Sequence, residues 1–334
     1  MMRIFSGVKP TGHPTLGNLL GAMQRWARID QFRSDDPGDA LFCVVDLHAL
    51  TVPHEPAALR ERTREVATLL LATGLDPERC TVFCQSHVAA HTRLTWIMES
   101  VVGDGELRRM VQYKEKSARQ ESVSTALLTY PALMAADILA YGAEEVPVGD
   151  DQRQHVELAR DLAVRFNTRY GEVFPVPRAV RPPAGARVMN LQVPTDKMGK
   201  SDDTAVQGII YLLDPPDSAR RKVMRAVTDG GREVVYDPEA KPGVANLLDI
   251  LSACGDGTEP AELATRYASY GALKSDVADA VVAVLEPLQA RYREFADDPA
   301  TIDKILRAGA DRASALADPY VSAAYDAIGL LPPR

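Results

Sequence analysis

The first two hundred residues alternate short, nearly all-apolar runs with longer amphipathic stretches. Arg3-Ile-Phe-Ser6, Ala40-Leu-Phe-Cys-Val-Val-Asp46, Thr81-Val-Phe-Cys-Gln85 and Glu145-Val-Pro-Val148 read as strands. The second is so continuously apolar that burial on both faces is expected. Helical patterning occupies 18–31, 57–72 (ended by Gly74), 93–141 and 150–166, with breaks near Gly103-Asp-Gly105 and Pro131. This order predicts an α/β fold, a doubly wound parallel sheet whose ligands bind beyond the strands' carboxyl ends. After Asp203 the strand pattern gives way to helices over 217–227, 244–254, 259–268, 276–294, 300–310 and 313–328. A catalytic α/β domain over 1–203 and an all-helical domain over 204–334 are therefore expected. Arg178–Gly185, with Pro182 and Pro183, reads as the connector.

Composition narrows the class. A chain of 334 residues has room for two cores, and 46% hydrophobic with 25% charged residues is a globular balance. No apolar run approaches the length of a membrane span, and the N-terminal residues lead into a strand without a signal-like hydrophobic region. Four cysteines, Cys43, Cys80, Cys84 and Cys254, make no disulfide framework in a chain this long. A cytoplasmic enzyme is the expectation. The net charge of −8 gives no global attraction for nucleic acid. Two basic clusters, Arg108, Arg109, Lys114, Lys116, Arg119 and Arg220, Arg221, Lys222, Arg225, read on their own as solvated helix faces.

Two stretches carry phosphate chemistry. Ser6-Gly-Val-Lys-Pro-Thr-Gly-His-Pro-Thr-Leu-Gly-Asn18 reads as a strand end, a Gly-rich turn and a helix start, which frees backbone N–H groups for an anion. Lys197-Met-Gly-Lys-Ser201 places two lysines three apart in a Gly-containing loop, where a polyphosphate is gripped. A rival constellation, Cys80, Cys84, His87 and His91, has metal-ligand residue types. Its pairs lack the spacing of a zinc finger, and a strand between the cysteines spreads the ligands apart. No protein metal site is expected.

Three further blocks complete a set: Val44-Val-Asp-Leu-His-Ala-Leu-Thr51, Leu127-Leu-Thr-Tyr-Pro-Ala-Leu-Met-Ala-Ala-Asp-Ile-Leu139 and Val146-Pro-Val-Gly-Asp-Asp-Gln-Arg-Gln-His155. In this order the five blocks resemble the bacterial tryptophanyl-tRNA synthetases of class I. The resemblance covers essentially the whole chain from Phe5 onward and is strongest over 1–205. It implies a Rossmann-like catalytic domain and a helical domain that reads the anticodon. It also implies ATP with Mg²⁺, L-tryptophan and tRNA(Trp) as ligands, and a homodimer, with neither membrane nor DNA as partner. Apolar positions around 94–102 are candidates for the dimer interface.

The same resemblance assigns residues. Phe5, Gly7, Met134, Val146 and Val148 would surround the indole, Asp137 would accept its N–H, and Tyr130 and Gln152 would hold the ammonium end near His48. An indole is an apolar plate with one donor, so apolar walls and a single buried acceptor suit it. Taken singly, Met134, Val146 and Val148 read as ordinary core, whereas a carboxylate in an apolar helix turn needs a partner. Lys9, Thr15, Gly17, Asn18, Gly149, Asp151, Val188, Met198 and Ser201 would bind ATP. Lys116, Lys197 and Lys200 would neutralise the departing pyrophosphate.

Two positions depart from the family pattern. Gly199 stands where serine is usual, which adds backbone freedom to the loop and is expected to slow activation. Lys9 stands where glutamine is usual, and is expected to change contacts to tryptophan or to inhibitors resembling it. The tyrosine-specific relatives and a ligand-sensing paralogue without charging activity stand as alternatives.

Overall fold

The computed structural model describes residues 3–26, 39–118, 122–149, 152–180, 187–199 and 206–331, apart from the side chains of Lys116 and Val206. Strand β1 (Ile4–Val8) leads through a turn into α1 (Leu16–Asn18), a π-helical turn (Leu19–Met23) and α2 (Gln24–Trp26). There follow β2 (Ala40–Val44), α3 (Pro56–Ala72), β3 (Thr81–Cys84), α4 (Ala89–Val101), α5 (Asp104–Arg109), α6 (Val111–Ser117) and α7 (Thr125–Leu139). Then come β4 (Glu145–Pro147), α8 (Arg153–Tyr170) and β5 (Arg178–Val180). The later helices are α9 (Pro216–Met224), α10 (Pro242–Cys254), α11 (Pro260–Ala264), α12 (Tyr270–Ala296) and α13 (Pro299–Ile328).

Among the described residues the strands form one parallel sheet in the order β3-β2-β1-β4-β5. The order runs outward in both directions from β1, so the crevice at the carboxyl ends of β1 and β4 is the topological switch point. Strand alternation sorts the side chains onto two faces. Val8, Phe42, Val44 and Val82 join α3, α10 and α12 in one apolar cluster. Phe5, Leu41, Cys43, Phe83 and Val146 join α4, α7 and α8 in the other. The first cluster continues through Val188, Met198, Ile209 and Ile210 into α9 and α12 without a polar break.

β3 is an edge strand, and α13 lies along it. A Cβ at Gly309 would come within 2.0 Å of the Val82 carbonyl oxygen, so only glycine lets the helix this close. One turn on, Arg312 Nη1 donates to the Cys80 carbonyl at 3.3 Å and to Thr81 Oγ1 at 3.4 Å. Edge groups that would otherwise face water are thus met from a helix far downstream.

The structure corrects four readings of the sequence. Arg178–Val180, expected in a connector, is a strand whose pairing with β4 supplies what three residues beside prolines lack in propensity. The rest of that connector, and the 203/204 boundary, lie outside the described residues. Pro131 does not break α7; the helix runs through it, held by burial of Leu127, Tyr130, Ala132 and Ala135. The stretches 300–310 and 313–328 are one helix, which runs through Asp311 and Arg312 and turns Arg312 to β3. Finally, Leu94, Ile97 and Met98 point into the chain's own core, and of that helix only Trp96, 75% exposed, offers a large apolar surface outward.

Candidate functional site

The turn after β1 is closed by its own side chains. Thr15, the N-cap of α1, is fully buried; its Oγ1 accepts from Asn18 N at 3.4 Å while Asn18 Oδ1 accepts from Thr15 N at 3.0 Å. This capping box sets the angle at which the helix begins. Gly17 sits directly beneath Met198: a Cβ there would lie 3.4 Å from the Met198 carbonyl oxygen. The two phosphate-reading stretches, far apart in sequence, therefore meet. Met198 belongs to a hairpin in which its N–H donates to the Val188 carbonyl and Lys197 pairs with Met189. Val188 and Met198 are buried and Lys197 is exposed. Lys9 Nζ donates to Thr51 Oγ1 at 3.0 Å, next to the 3₁₀ turn that carries His48. Lys200, Ser201, Asp151 and the side chain of Lys116 lie outside the described residues.

On the other face of β1 lies the candidate amino-acid pocket. Phe5 and Val146 are buried in the second apolar cluster, and Met134 and Val148 pack against it half-buried. Gly7 keeps the face low, since a Cβ there would strike Val45 Cγ1 at 2.8 Å. Within this apolar setting Asp137 is 1% exposed and collects donors. Gln85 Nε2 donates to its Oδ1 at 2.7 Å, His91 Nδ1 to the same oxygen at 2.7 Å, and His48 Nε2 to Oδ2 at 2.8 Å. The network continues: Tyr141 O–H donates to His91 Nε2 at 2.8 Å, and the Tyr141 ring stacks on Phe5 with centroids 5.5 Å apart. These bonds place the His91 proton on Nδ1. Burial pushes the Asp137 carboxyl up, but the hydrogen bonds from His48 and His91 outweigh it and hold the group at about 2. An ionised carboxylate has about four acceptor positions, so three donors leave one, on Oδ2.

A second line of polar groups leads from this carboxylate. The His48 ring meets the Tyr130 ring edge-on at 6.2 Å, and the Tyr130 hydroxyl and His155 Nε2 are hydrogen-bonded at 2.7 Å. Burial pushes the Tyr130 phenol up, so it stays a neutral donor and acceptor. Gln152 caps α8 just beyond β4, its N–H donating to the Gly149 carbonyl at 3.0 Å. The residues expected around an indole and its ammonium group thus come from β1, β4, α7 and the start of α8, all at the switch point.

Sequence reasoning misses His91, Gln85, Tyr141 and His155. The sequence offers His91 only as a metal ligand; it turns instead to Asp137, while Cys80 Sγ donates to the Asp76 carbonyl. The signal is Asp137 itself: one carboxylate among so many apolar residues requires several donors, and the nearby polar residues of apolar segments are their source.

Known proteins resemble this chain over its whole length. The chain is 66% identical over 337 residues to tryptophan–tRNA ligase 1 of Streptomyces coelicolor, covering 100% of this chain and 98% of that one. Its structure resembles tryptophanyl-tRNA synthetase from Mycoplasma pneumoniae with a TM-score of 0.91 at 34% identity, over 99% of this chain and 98% of that one. The Campylobacter jejuni enzyme, solved with ADP and tryptophan, gives 0.83 at 31%, over 98% and 100%. The model of the class I tRNA synthetases (W and Y) matches residues 1–286, and the chain belongs to that family.

Proposed function

We propose that this chain is a tryptophan–tRNA ligase that works in two steps at the switch-point crevice. The tryptophan carboxylate attacks the α-phosphorus of ATP, the bond to the β-phosphate oxygen breaks, and tryptophanyl-adenylate forms as pyrophosphate leaves. A terminal ribose hydroxyl of tRNA(Trp) then takes the acyl group and AMP departs. The observation that carries the reading is Asp137: an ionised, buried carboxylate with one acceptor position left, beside an apolar cluster, suits a flat apolar group with a single N–H. Phe5, Gly7, Met134, Val146 and Val148 flank the indole in this reading, and Tyr130, Gln152 and His48 face the ammonium end.

Lys9, Thr15, Gly17, Asn18, Gly149, Asp151, Val188, Met198 and Ser201 make up the ATP side. Thr15, being buried, acts there by shaping the turn. Lys116, Lys197 and Lys200 stabilise charge on the leaving pyrophosphate and transfer no proton. Mg²⁺, when bound, neutralises and orients the phosphate oxygens. Among the described residues no three His, Cys, Asp or Glu side chains are placed to hold a metal. No described helix is long and apolar enough to cross a membrane. A cytoplasmic homodimer, with Trp96 turned toward the second copy, completes the proposal.

The test is exchange of pyrophosphate into ATP with tryptophan, tyrosine or phenylalanine, with and without Asp137→Ala. Exchange with tryptophan alone, lost in the variant, is the expected result. Exchange with tyrosine would overturn the specificity. Tryptophan binding without any exchange would identify a sensing protein.

A further inference from the structure

Helix α9 turns Ser218, Arg221, Lys222 and Arg225 to one side, facing Gln207 of the 3₁₀ turn Val206–Gly208; these residues line a cavity of about 200 Å³. The three- and four-residue spacing puts the α9 members on one face. None of the described lining residues is acidic. Two cations of the same sequence cluster have other engagements. Arg220 turns to Asp279 of α12, and Lys222 donates to Asp214 Oδ2 at 2.7 Å while covering the Tyr211 ring at 5.2 Å. Arg221 and Arg225, one turn apart and exposed, set the character of the cavity. Guanidinium forks matched with a hydroxyl and an amide suit phosphate oxygens, and with Tyr211 covered there is no aromatic floor on which a base would stack.

The cavity also sits at the foot of the hairpin that presents Lys197. Leu191 N–H donates to the Gly208 carbonyl at 2.9 Å and Val227 N–H to the Leu191 carbonyl at 2.8 Å. Gln192 Nε2 donates to the Arg225 carbonyl at 2.9 Å. A Cβ at Gly208 would fall 1.8 Å from Asn190 Oδ1, so the junction has no slack. These bonds tie the turn that carries Gln207 and the backbone of Arg225 to the hairpin.

We propose that this cavity docks a backbone phosphate of the incoming tRNA, and so couples arrival of the acceptor to the position of the Lys197 hairpin. The proposal rests on the tRNA-charging function above. In a chain of net charge −8, a local basic point of this kind supplies the attraction that the global charge withholds.

The experiment compares the wild-type chain with R221A/R225A and R221K/R225K. It measures charging of a transcript bearing the tryptophan anticodon at several salt concentrations, and tryptophan-dependent pyrophosphate exchange. For the alanine variant, KM for tRNA is expected to rise about tenfold, and the log–log salt dependence to become shallower by about one to two. Exchange is expected to stay within about twofold of wild type, and the lysine variant to recover most of the lost affinity, because charge is retained. An unchanged KM and salt slope overturns the proposal. So does a parallel fall in exchange, which would make the cavity a prop of the fold or of the ATP site. If the wild-type chain charges no transcript, the functional reading fails and this one with it; if wild type and alanine variant charge equally well, only the docking site fails.

Discussion

His91 Nδ1 lies 2.7 Å from Asp137 Oδ1, and both side chains are almost wholly buried. The histidine is itself held from behind by the Tyr141 hydroxyl, and Asp137 is gripped from two other sides by Gln85 and His48. A carboxylate held this way presents its remaining lone pair in one direction, which is what orientation of a single-donor ligand requires.

Replacing His91 with alanine leaves Asp137 and Tyr141 each short of a partner in a dry interior. The expected loss of stability is about 3–5 kcal/mol, the cost of breaking a buried charge network from one side. Urea denaturation measures it, and a loss below about 1 kcal/mol would show that the network rearranges freely.

Acid should act on the same group. Asp137 is lowered from 3.8 to about 2, so its contribution is present above pH 3.8 and lost as pH falls toward 2. The amount is about 2 kcal/mol, by the usual conversion of pKa difference to free energy. Asp137→Asn removes the titration. The gap in urea midpoint between wild type and variant should therefore narrow from roughly pH 5 to pH 3; a constant gap would mean that the histidines do not hold the proton off.

Among the described residues, a Cβ at Gly199 would meet only the Lys197 carbonyl oxygen, at 3.8 Å. Gly199→Ser should leave stability unchanged and raise the exchange rate about two- to fivefold by reducing the freedom of the loop. A slower exchange in the variant would show that this chain uses the glycine.

Gly309→Ala tests the opposite situation. With the Val82 carbonyl oxygen 2.0 Å from the new methyl, α13 must move off β3, and a loss of more than about 2 kcal/mol is expected. Thermal unfolding reports it; an unchanged melting temperature would mean that the helix shifts without cost.

Much of the sheet and of the crevice is legible in the amino-acid sequence. The apolar run at 40–46 announces a strand buried on both faces and that at 81–85 a further short strand, and the strand–turn–helix around Gly17 announces an anion-facing turn. What escapes depends on partners distant in the chain. Arg178–Val180 is a strand because β4 is beside it, and the stretches 300–310 and 313–328 join in a single helix that seats Arg312 on β3. Likewise His91 carries no local sign of its role, because the group that defines it, Asp137, is 46 residues away. Periodicity reads what a segment does with its own backbone, and it is silent on which buried polar groups will find one another.

The seat of α13 on β3 also bears on how the protein is made. The edge of the sheet emerges early in synthesis, while the glycine and arginine that cover it emerge much later. Until then a bare strand edge is available to neighbouring chains. Yield and aggregation in the cell should therefore respond to mutations in α13 that leave the crevice untouched, and a nascent chain stalled before that helix should depend on chaperones more than its finished counterpart.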